Sequence, residues 1–247
     1  MIRIGVIGAA AADTITLDGE PPFRRPGGTP VFAERALRAV GAEPVTFVIE
    51  PPVDSRLVHD GTGTSQEIRS LAAALTPARV ADEVLPRIKG CSWVVLGGQT
   101  GGEFPPAVLD ALAGAGHHLL LDAQGLARGE RLGPVQLGPF PPDCYRGVRC
   151  LKLNRAEARA AFGGDDAATA LAVRAPEVLL TLGPAGLMVA AGGRVENVAG
   201  SGLPFHDPTG AGDSLSALYC LARSRGAEPV EAARGAVDTV ERLYGSS

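Results

Sequence analysis

Two kinds of hydrophobic pattern alternate along the chain. Short apolar runs at 2–7, 45–49, 93–96, 119–122, 148–153, 178–182 and 187–190, with a further candidate at 194–198, read as strands. Several are continuous rather than alternating, as strands covered on both faces should be. Between them lie stretches of helical spacing. Thr29 is placed to cap a helix with Pro30 at its first position; Ala33, Leu37 and Val40 then share one side, and Gly41 ends it. Thr76-Pro77 repeats that opening, with Val80, Val84 and Ile88 four residues apart and Gly90 as the stop. Positions 106–115 carry Val108 and Leu112 on one face ahead of Gly116, Asn154 opens a fourth helix, and 211–225 and 230–243 close the chain.

Strand–helix–strand alternation predicts an α/β fold, a mostly parallel sheet with helices on both faces. In such sheets ligands sit beyond the carboxyl ends of the strands. Two stretches break the alternation. Residues 13–25 read as a hairpin: Thr14-Ile15-Thr16-Leu17 alternates, and Asp18-Gly19 is a turn signal. Residues 54–69 are polar, with Gly61-Thr62-Gly63 in the middle. The two are expected to pair as a small lid, from segments near 14–27 and 54–69, on one domain spanning 1–247. The first twelve residues have the outline of a signal peptide, but Gly5 and Gly8 interrupt a short apolar run, which reads better as a buried first strand.

Composition narrows the classes. The 247 residues include 33 glycines and 20 prolines, a turn-rich content, with aromatics at only 4%. Cys91, Cys144, Cys150 and Cys220 form no C-x-x-C pair, which argues against a disulfide scaffold or zinc ribbon and fits a reducing, cytoplasmic setting. No apolar run approaches the ~18 residues of a membrane span. A net charge of −4 without charge blocks leaves no electrostatic footprint for nucleic acid. The four histidines show no metal spacing.

The most informative stretch is Asp207-Pro208-Thr209-Gly210-Ala211-Gly212-Asp213. Small residues at 210–212 let the backbone bend and approach a ligand, and they open a helix. Its free N–H groups and dipole make an anion hole suited to a phosphate in flight. Asp213 in the first turn can accept the proton of an attacking hydroxyl. The plainer alternative is a turn whose Asp merely complements the helix dipole.

This stretch resembles the C-terminal signature of the ribokinase-like, PfkB-type carbohydrate kinases, and three further segments resemble that family in order. Gly8 to Asp13 with Gly27-Gly28 is similar to the region that holds sugar hydroxyls. Lys152-Leu153-Asn154-Arg155-Ala156-Glu157 resembles an N-x-x-E motif that organises Mg²⁺ and phosphates. Thr181-Leu182-Gly183-Pro184-Ala185-Gly186 resembles a segment lining the nucleotide site. The resemblance implies a three-layer α/β/α sandwich with a mostly parallel central sheet and a small, reduced β lid. It implies transfer of the ATP γ-phosphate to a hydroxyl of a sugar, nucleoside or inositol, in a monomer or homodimer. Asp213 would be the base, and Gly210, Ala211 and Gly212 the hole. Asn154, Glu157, Thr181, Gly183, Gly186 and Arg128 would hold nucleotide, with Glu157 acting on Mg²⁺ through water. Asp13, Gly27, Gly28 and Gln99 would meet the acceptor, with Thr100 and Glu103 beside Gln99. Asp207 and Thr209 match positions that admit K⁺.

Asn154 and Glu157 also have the spacing of a capping box, which accounts for them without a ligand. The chain departs from the family pattern where an Asn is expected after Gly27-Gly28: Thr29, Pro30, Val31 and Phe32 stand there. Leu218 also replaces a small residue. Arg24, Arg25 and His206 flank the site in sequence. The alternatives are a catalytically silent member that binds nucleotide or sugar, a vitamin-type kinase, and a nicotinamide-dependent enzyme, the last disfavoured because no full G-x-G-x-x-G is present.

Overall fold

The structure is a computed structural model, and it describes residues 2–60, 63–141 and 143–245. The strands are β1 (Arg3–Leu17), β2 (Phe23–Gly27), β3 (Glu43–Asp60), β4 (Gly63–Ile68), β5 (Trp93–Gly97), β6 (His118–Asp122), β7 (Gly133–Pro134), β8 (Cys150–Asn154), β9 (Glu177–Thr181), β10 (Gly186–Ala191) and β11 (Arg194–Ala199). The helices are α1 (Thr29–Ala39), α2 (Pro77–Arg79), α3 (Leu85–Ile88), α4 (Pro106–Gly114), α5 (Gln124–Arg128), α6 (Arg155–Phe162), α7 (Ala167–Ala172), α8 (Ala211–Ser224) and α9 (Pro229–Tyr244).

The strands form one sheet in the order β11-β10-β9-β8-β6-β5-β1-β3-β4-β7, with β2 on β1. Pairing from β3 through β9 is parallel, and β10 and β11 add an antiparallel edge. Alternation along each strand feeds two cores. Leu119 and Leu121 face the layer of Val84, Ile88, Val108 and Leu112, whereas Leu120 faces Leu37, Tyr219 and Val237. The second layer holds α1, α8 and α9. Ala232, Ala233, Ala236, Val237, Val240 and Tyr244 make the helical stripe that buries α9.

The expected strands are present, but two run much further than the apolar runs indicate. β1 continues through the alanines at 9–12, poor strand formers, because it is paired on both sides, by β3 and β5 and then by β3 and β2. β3 continues past Pro51 and Pro52. The register jumps there from Ala9–Ile49 to Ala11–Val53, so the two prolines, which have no N–H to give, bulge out of the ladder. The lid is therefore no separate sheet. The ends of β1 and β3, with β2, β4 and β7, carry the central sheet outward, and Ile15, Leu17, Leu57 and Phe23 form a small core there. The expected hairpin has its turn at 18–20 and pairs Ile15 with Phe23. Of the Gly61-Thr62-Gly63 turn, residues 61 and 62 lie outside the described residues.

Most helix boundaries match their punctuation. Thr76 accepts from the Arg79 N–H at 3.2 Å, and Asn154 forms a complete capping box with Glu157. Thr29 does not cap α1: Gly28 stands at the cap with φ +84°, and the Thr29 hydroxyl is used elsewhere. α5 and α7 escaped the sequence reading because helices of five and six residues are too short to show a period. After α2 one π-helical turn spans Val80–Val84, its last N–H from Leu85 reaching the Val80 carbonyl just before Pro86.

At the end of the sheet remote from these loops, the buried Glu177 carboxylate holds α8 in place. It accepts from the Tyr219 hydroxyl (2.7 Å), from Arg223 Nη2 (2.7 Å) and from Arg149 Nε (3.0 Å). Deleting it strands two guanidinium groups, one of them largely buried. Glu177→Ala should lower stability by about 3–5 kcal/mol, read as an earlier urea midpoint with an unchanged slope.

Candidate active site

Register brings the functional residues to one edge. β5 and β6 pair Gly97 with Asp122, β6 and β8 pair Asp122 with Lys152, and β8 and β9 pair Asn154 with Thr181. These are carboxyl ends of parallel strands, where chains leave the sheet and side chains face a common crevice.

The signature loop delivers α8 to that crevice. Gly210 caps the helix with φ +83°, and a Cβ built there would lie 2.1 Å from Cγ of Phe32. Both the backbone conformation and the space demand glycine. The Ala211 N–H does not join the anion hole as expected. It donates to the Pro208 carbonyl at 3.1 Å and closes the turn into the helix. The N–H groups of Gly210, Gly212 and Asp213 have no acceptor among the described residues, so these three remain available to an anion.

Asp213 is partly buried beside this hole, and Oδ1 accepts the Thr29 hydroxyl. Burial, reinforced by the nearby Asp122 carboxylate, lifts its pKa to about 6, against the pull of Thr29, Lys152 and Arg128. Asp122 accepts from Lys152 Nζ at 2.7 Å, both side chains being nearly inaccessible. Glu157 gives one oxygen to the Asn154 N–H at 2.7 Å, and burial pushes its pKa up. The capping role foreseen for Asn154 and Glu157 is thus present in full, on a helix whose start lies at the same edge.

On the lid side, Asp13 is buried and accepts from Ser55 Oγ at 2.6 Å. Burial raises its pKa, while Ser55, Arg25 and Arg128 oppose the rise. A Cβ at Gly27 would lie 1.8 Å from Asp13 Oδ2, so the carboxylate occupies the space a side chain there would need. Gln99 is buried in the loop after β5, where its Oε1 accepts from Arg128 Nη1 at 3.2 Å. The loop is braced by the fully buried Glu103, which accepts from the N–H groups of Gln99 and Thr100, both at 2.8 Å, and whose pKa burial lifts to about 7. Arg128 feels Glu157, Asp122, Asp213 and Asp13 together, which sets it at the centre of the constellation.

Thr181, Gly183 and Gly186 come together with Ala211 and Gly212 in a cleft of about 450 Å³. Its outer wall is Leu203, Pro204, Phe205, Val237 and Val240, so one end is apolar and the other opens at the anion hole. Asp207 and Thr209 face the lid. Asp207 pairs with Arg25 at 2.6 Å, and Thr209 meets His59 Nε2 at 2.9 Å. Burial opposes ionisation of Asp207, but hydrogen bonds from Thr209 and the Arg25 charge hold its pKa below the ordinary value. His206 meets Glu20 at 3.3 Å, and Arg24 makes an exposed pair with Asp54.

The model of the pfkB family carbohydrate kinases matches residues 117–239. Over this segment the chain is a member of the PfkB family. It is 31% identical over 213 residues to the Bifunctional protein HldE of Caulobacter sp. (strain K31), an alignment covering 75% of this chain and 41% of that protein, so the chain spans well under half of its relative. Among solved structures, a pyrophosphate-dependent kinase of the ribokinase family, complexed with a pyrophosphate analog and myo-inositol, superposes with TM-score 0.81 at 18% identity, covering 98% of this chain and 95% of the other. The Burkholderia thailandensis nucleoside kinase in complex with inosine gives 0.74 at 16% identity, covering 98% and 90%. Arabidopsis thaliana ribokinase complexed with ribose and ATP gives 0.69 at 18%, covering 99% and 93%. These likenesses establish the ribokinase fold.

Against the PfkB motifs, the structure adds residues to which the sequence alone gave no role in the site. Thr29 stands just after Gly27-Gly28, where an Asn was expected, and donates to Asp213. Ser55 and His59 come from the lid strand β3. Asp122 and Lys152 form the buried pair. A signal for Lys152 was present: it is a charge inside the apolar run Leu151-Lys152-Leu153, on a strand buried on both faces. His59 and Ser55 carried none, since only pairing of β3 with β1 brings them to the signature loop and to Asp13. Gly210→Ala should lower stability by about 1–2 kcal/mol or more, from left-handed strain alone. Overlap with the Phe32 ring adds to that. An unchanged urea midpoint would contradict the packing described.

Proposed function

We propose that the chain transfers the γ-phosphoryl group of ATP to a hydroxyl of a small polyol such as a sugar, nucleoside or inositol. The observation that carries this reading is one helix start that borders the apolar cleft and carries Asp213 among buried polar side chains. The apolar cleft ends at Ala211 and Gly212, and on the other side Asp213 and Thr29 lead toward Asp13, Ser55 and Gln99. The cleft wall of Leu203, Pro204, Phe205 and Val237 suits a planar base, which favours a nucleotide over bare pyrophosphate as donor. The buried Asp13 carboxylate offers an acceptor for hydroxyl protons, which suits a polyol.

In the proposed reaction Asp213 takes the proton of the acceptor hydroxyl. The hydroxyl oxygen bonds to the γ-phosphorus, the bond to the β-phosphate oxygen breaks, and ADP leaves with that electron pair. The N–H groups of Gly210, Gly212 and Asp213 receive the equatorial oxygens. Positioning and charge stabilisation account for most of such a barrier reduction. Thr29 holds the carboxylate of Asp213 in one orientation, and Asp13 orients the acceptor. Among the described residues no group of three or more His, Cys, Asp and Glu is arranged to hold a metal ion. Glu157 and Asn154, at the start of α6, are the residues that would neighbour Mg²⁺, which would offset phosphate charge when bound.

A base must be ionised to act. The proposal therefore expects kcat/KM to be high above the Asp213 pKa of about 6 and to fall about tenfold per pH unit below it. Stability runs the other way. The folded-state pKa lies above the ordinary 3.8, so this group's contribution is full below about pH 4 and is lost as pH rises through about 6. Asp213→Asn, which mimics the protonated form, should lose about 10²–10⁴ in kcat while melting no lower than the parent at pH 7.5. The test is an ADP-release screen across sugars, nucleosides and inositols, with ATP and pyrophosphate as alternative donors and with and without K⁺. Turnover by Asp213→Asn at the parent rate would remove the base assignment. Absence of turnover on every acceptor would favour a silent, ligand-binding member of the family.

A further inference from the structure

We propose that Lys152 is a catalytic residue: its ammonium group binds the phosphoryl group during transfer, with Asp122 as the counter-ion that holds it in place beforehand. This inference rests on the phosphoryl-transfer reading and adds a charged donor to it.

Three observations carry it. First is position. Cα–Cβ bonds in a helix tilt toward its N-terminus, so a Cβ on Gly212 would point toward the mouth of α8. Lys152 Nζ lies 2.7 Å from that built position, against the face of Gly212 that looks into the anion hole. The absence of a side chain at 212 therefore makes room for an ammonium group as well as for a ligand.

Second is unused capacity. An ammonium group has three N–H donors. One goes to Asp122 Oδ2 at 2.7 Å, and the other two have no acceptor among the described residues, although the side chain is only 7% exposed. Buried donors are normally satisfied, so two open ones beside three open backbone N–H groups mark a place prepared for several anionic oxygens.

Third is charge balance. Asp122, Glu157 and Asp213 all act on Lys152. A phosphoryl group entering this acidic surrounding meets repulsion from the carboxylates, which the backbone N–H groups, Arg128 and the Lys152 ammonium offset. The lysine moves no proton in this scheme. Asp213 takes the hydroxyl proton and ADP takes the bond electrons, while the ammonium supplies charge to the oxygens of the group in transit.

A purely structural role, neutralising Asp122, is the competing explanation, and the experiment separates the two. Lys152→Met leaves Asp122 buried and unpaired, whereas Asp122→Asn with Lys152→Met removes both charges and keeps the fold. The proposal expects both variants to lose about 10²–10³ in kcat, with the acceptor KM within threefold of the parent. It also expects the double variant to recover the melting temperature but not the turnover. Recovery of kcat in the double variant to the level of Asp122→Asn alone would overturn it. A binding readout free of turnover uses inorganic tripolyphosphate followed by calorimetry at low salt. Lys152→Met and the double variant should bind it at least tenfold more weakly than the parent. Equal affinity in the double variant and in Asp122→Asn overturns the proposal whatever the kinase screen shows. A tenfold loss in a protein that phosphorylates no acceptor supports the lysine as a phosphate ligand and sets aside the kinase reading instead.

Discussion

Asp122 and Lys152 face each other from adjacent parallel strands, 2.7 Å apart and nearly inaccessible to water, and the rest of the site is arranged around that pair. A buried ion pair gains little stability by itself, because desolvation consumes most of the attraction. Here it sets the electrostatics of a crevice that also receives Asp13, Glu157 and Asp213. Asp122 helps raise the Asp213 pKa to about 6, and Lys152 and Arg128 keep it from rising further. The outcome is a carboxyl group poised to be ionised near neutral pH and to take a proton readily. The same crowding makes the site unfavourable to the fold when every carboxylate is charged, a common cost of catalytic centres.

The second constraint is steric. Phe32 fills the space that a side chain at 210 would need, and Asp13 fills the space of one at 27. Helix α1, which carries Phe32 and Thr29, is thereby locked to the start of α8. Thr29 completes the lock by donating to Asp213. A residue positioned by sequence to cap one helix instead donates to a carboxylate on another, and Gly28 takes over the cap with its left-handed backbone.

The lid is coupled to the same loop. Arg25 reaches Asp207, His59 reaches Thr209, and Glu20 reaches His206, so three strands or turns of the lid meet three consecutive or near-consecutive loop residues. Arg25 also lies over the rings of Phe23 and Phe32, at 5.7 and 5.5 Å. Asp207 and Thr209 both have their side chains engaged by the lid. The lid and the 206–210 loop are therefore held as one unit, through the continuous strands β1 and β3 on one side and these polar contacts on the other.

Much of this was legible in the chain. Continuous apolar runs between capped, amphipathic stretches specify a two-faced parallel sheet, because burial on both faces leaves no polar alternation. Motifs placed directly after strands specify the edge at which chemistry occurs. The Asp207 to Asp213 stretch locates the helix start, since only small residues permit that bend. The sequence did not show that β1 and β3 extend into the lid. Their alanines and prolines disfavour strands locally, and pairing on both sides outweighs that preference. Nor did it show that the Ala211 N–H is consumed by Pro208, which depends on the turn geometry. The partners Thr29–Asp213, Ser55–Asp13 and Lys152–Asp122 lie 184, 42 and 30 residues apart in the chain. Local pattern determines which segments are strands, helices and turns, because those depend on neighbours a few residues away. Which buried charge meets which is decided by strand order and register, and those exist only once the sheet has formed.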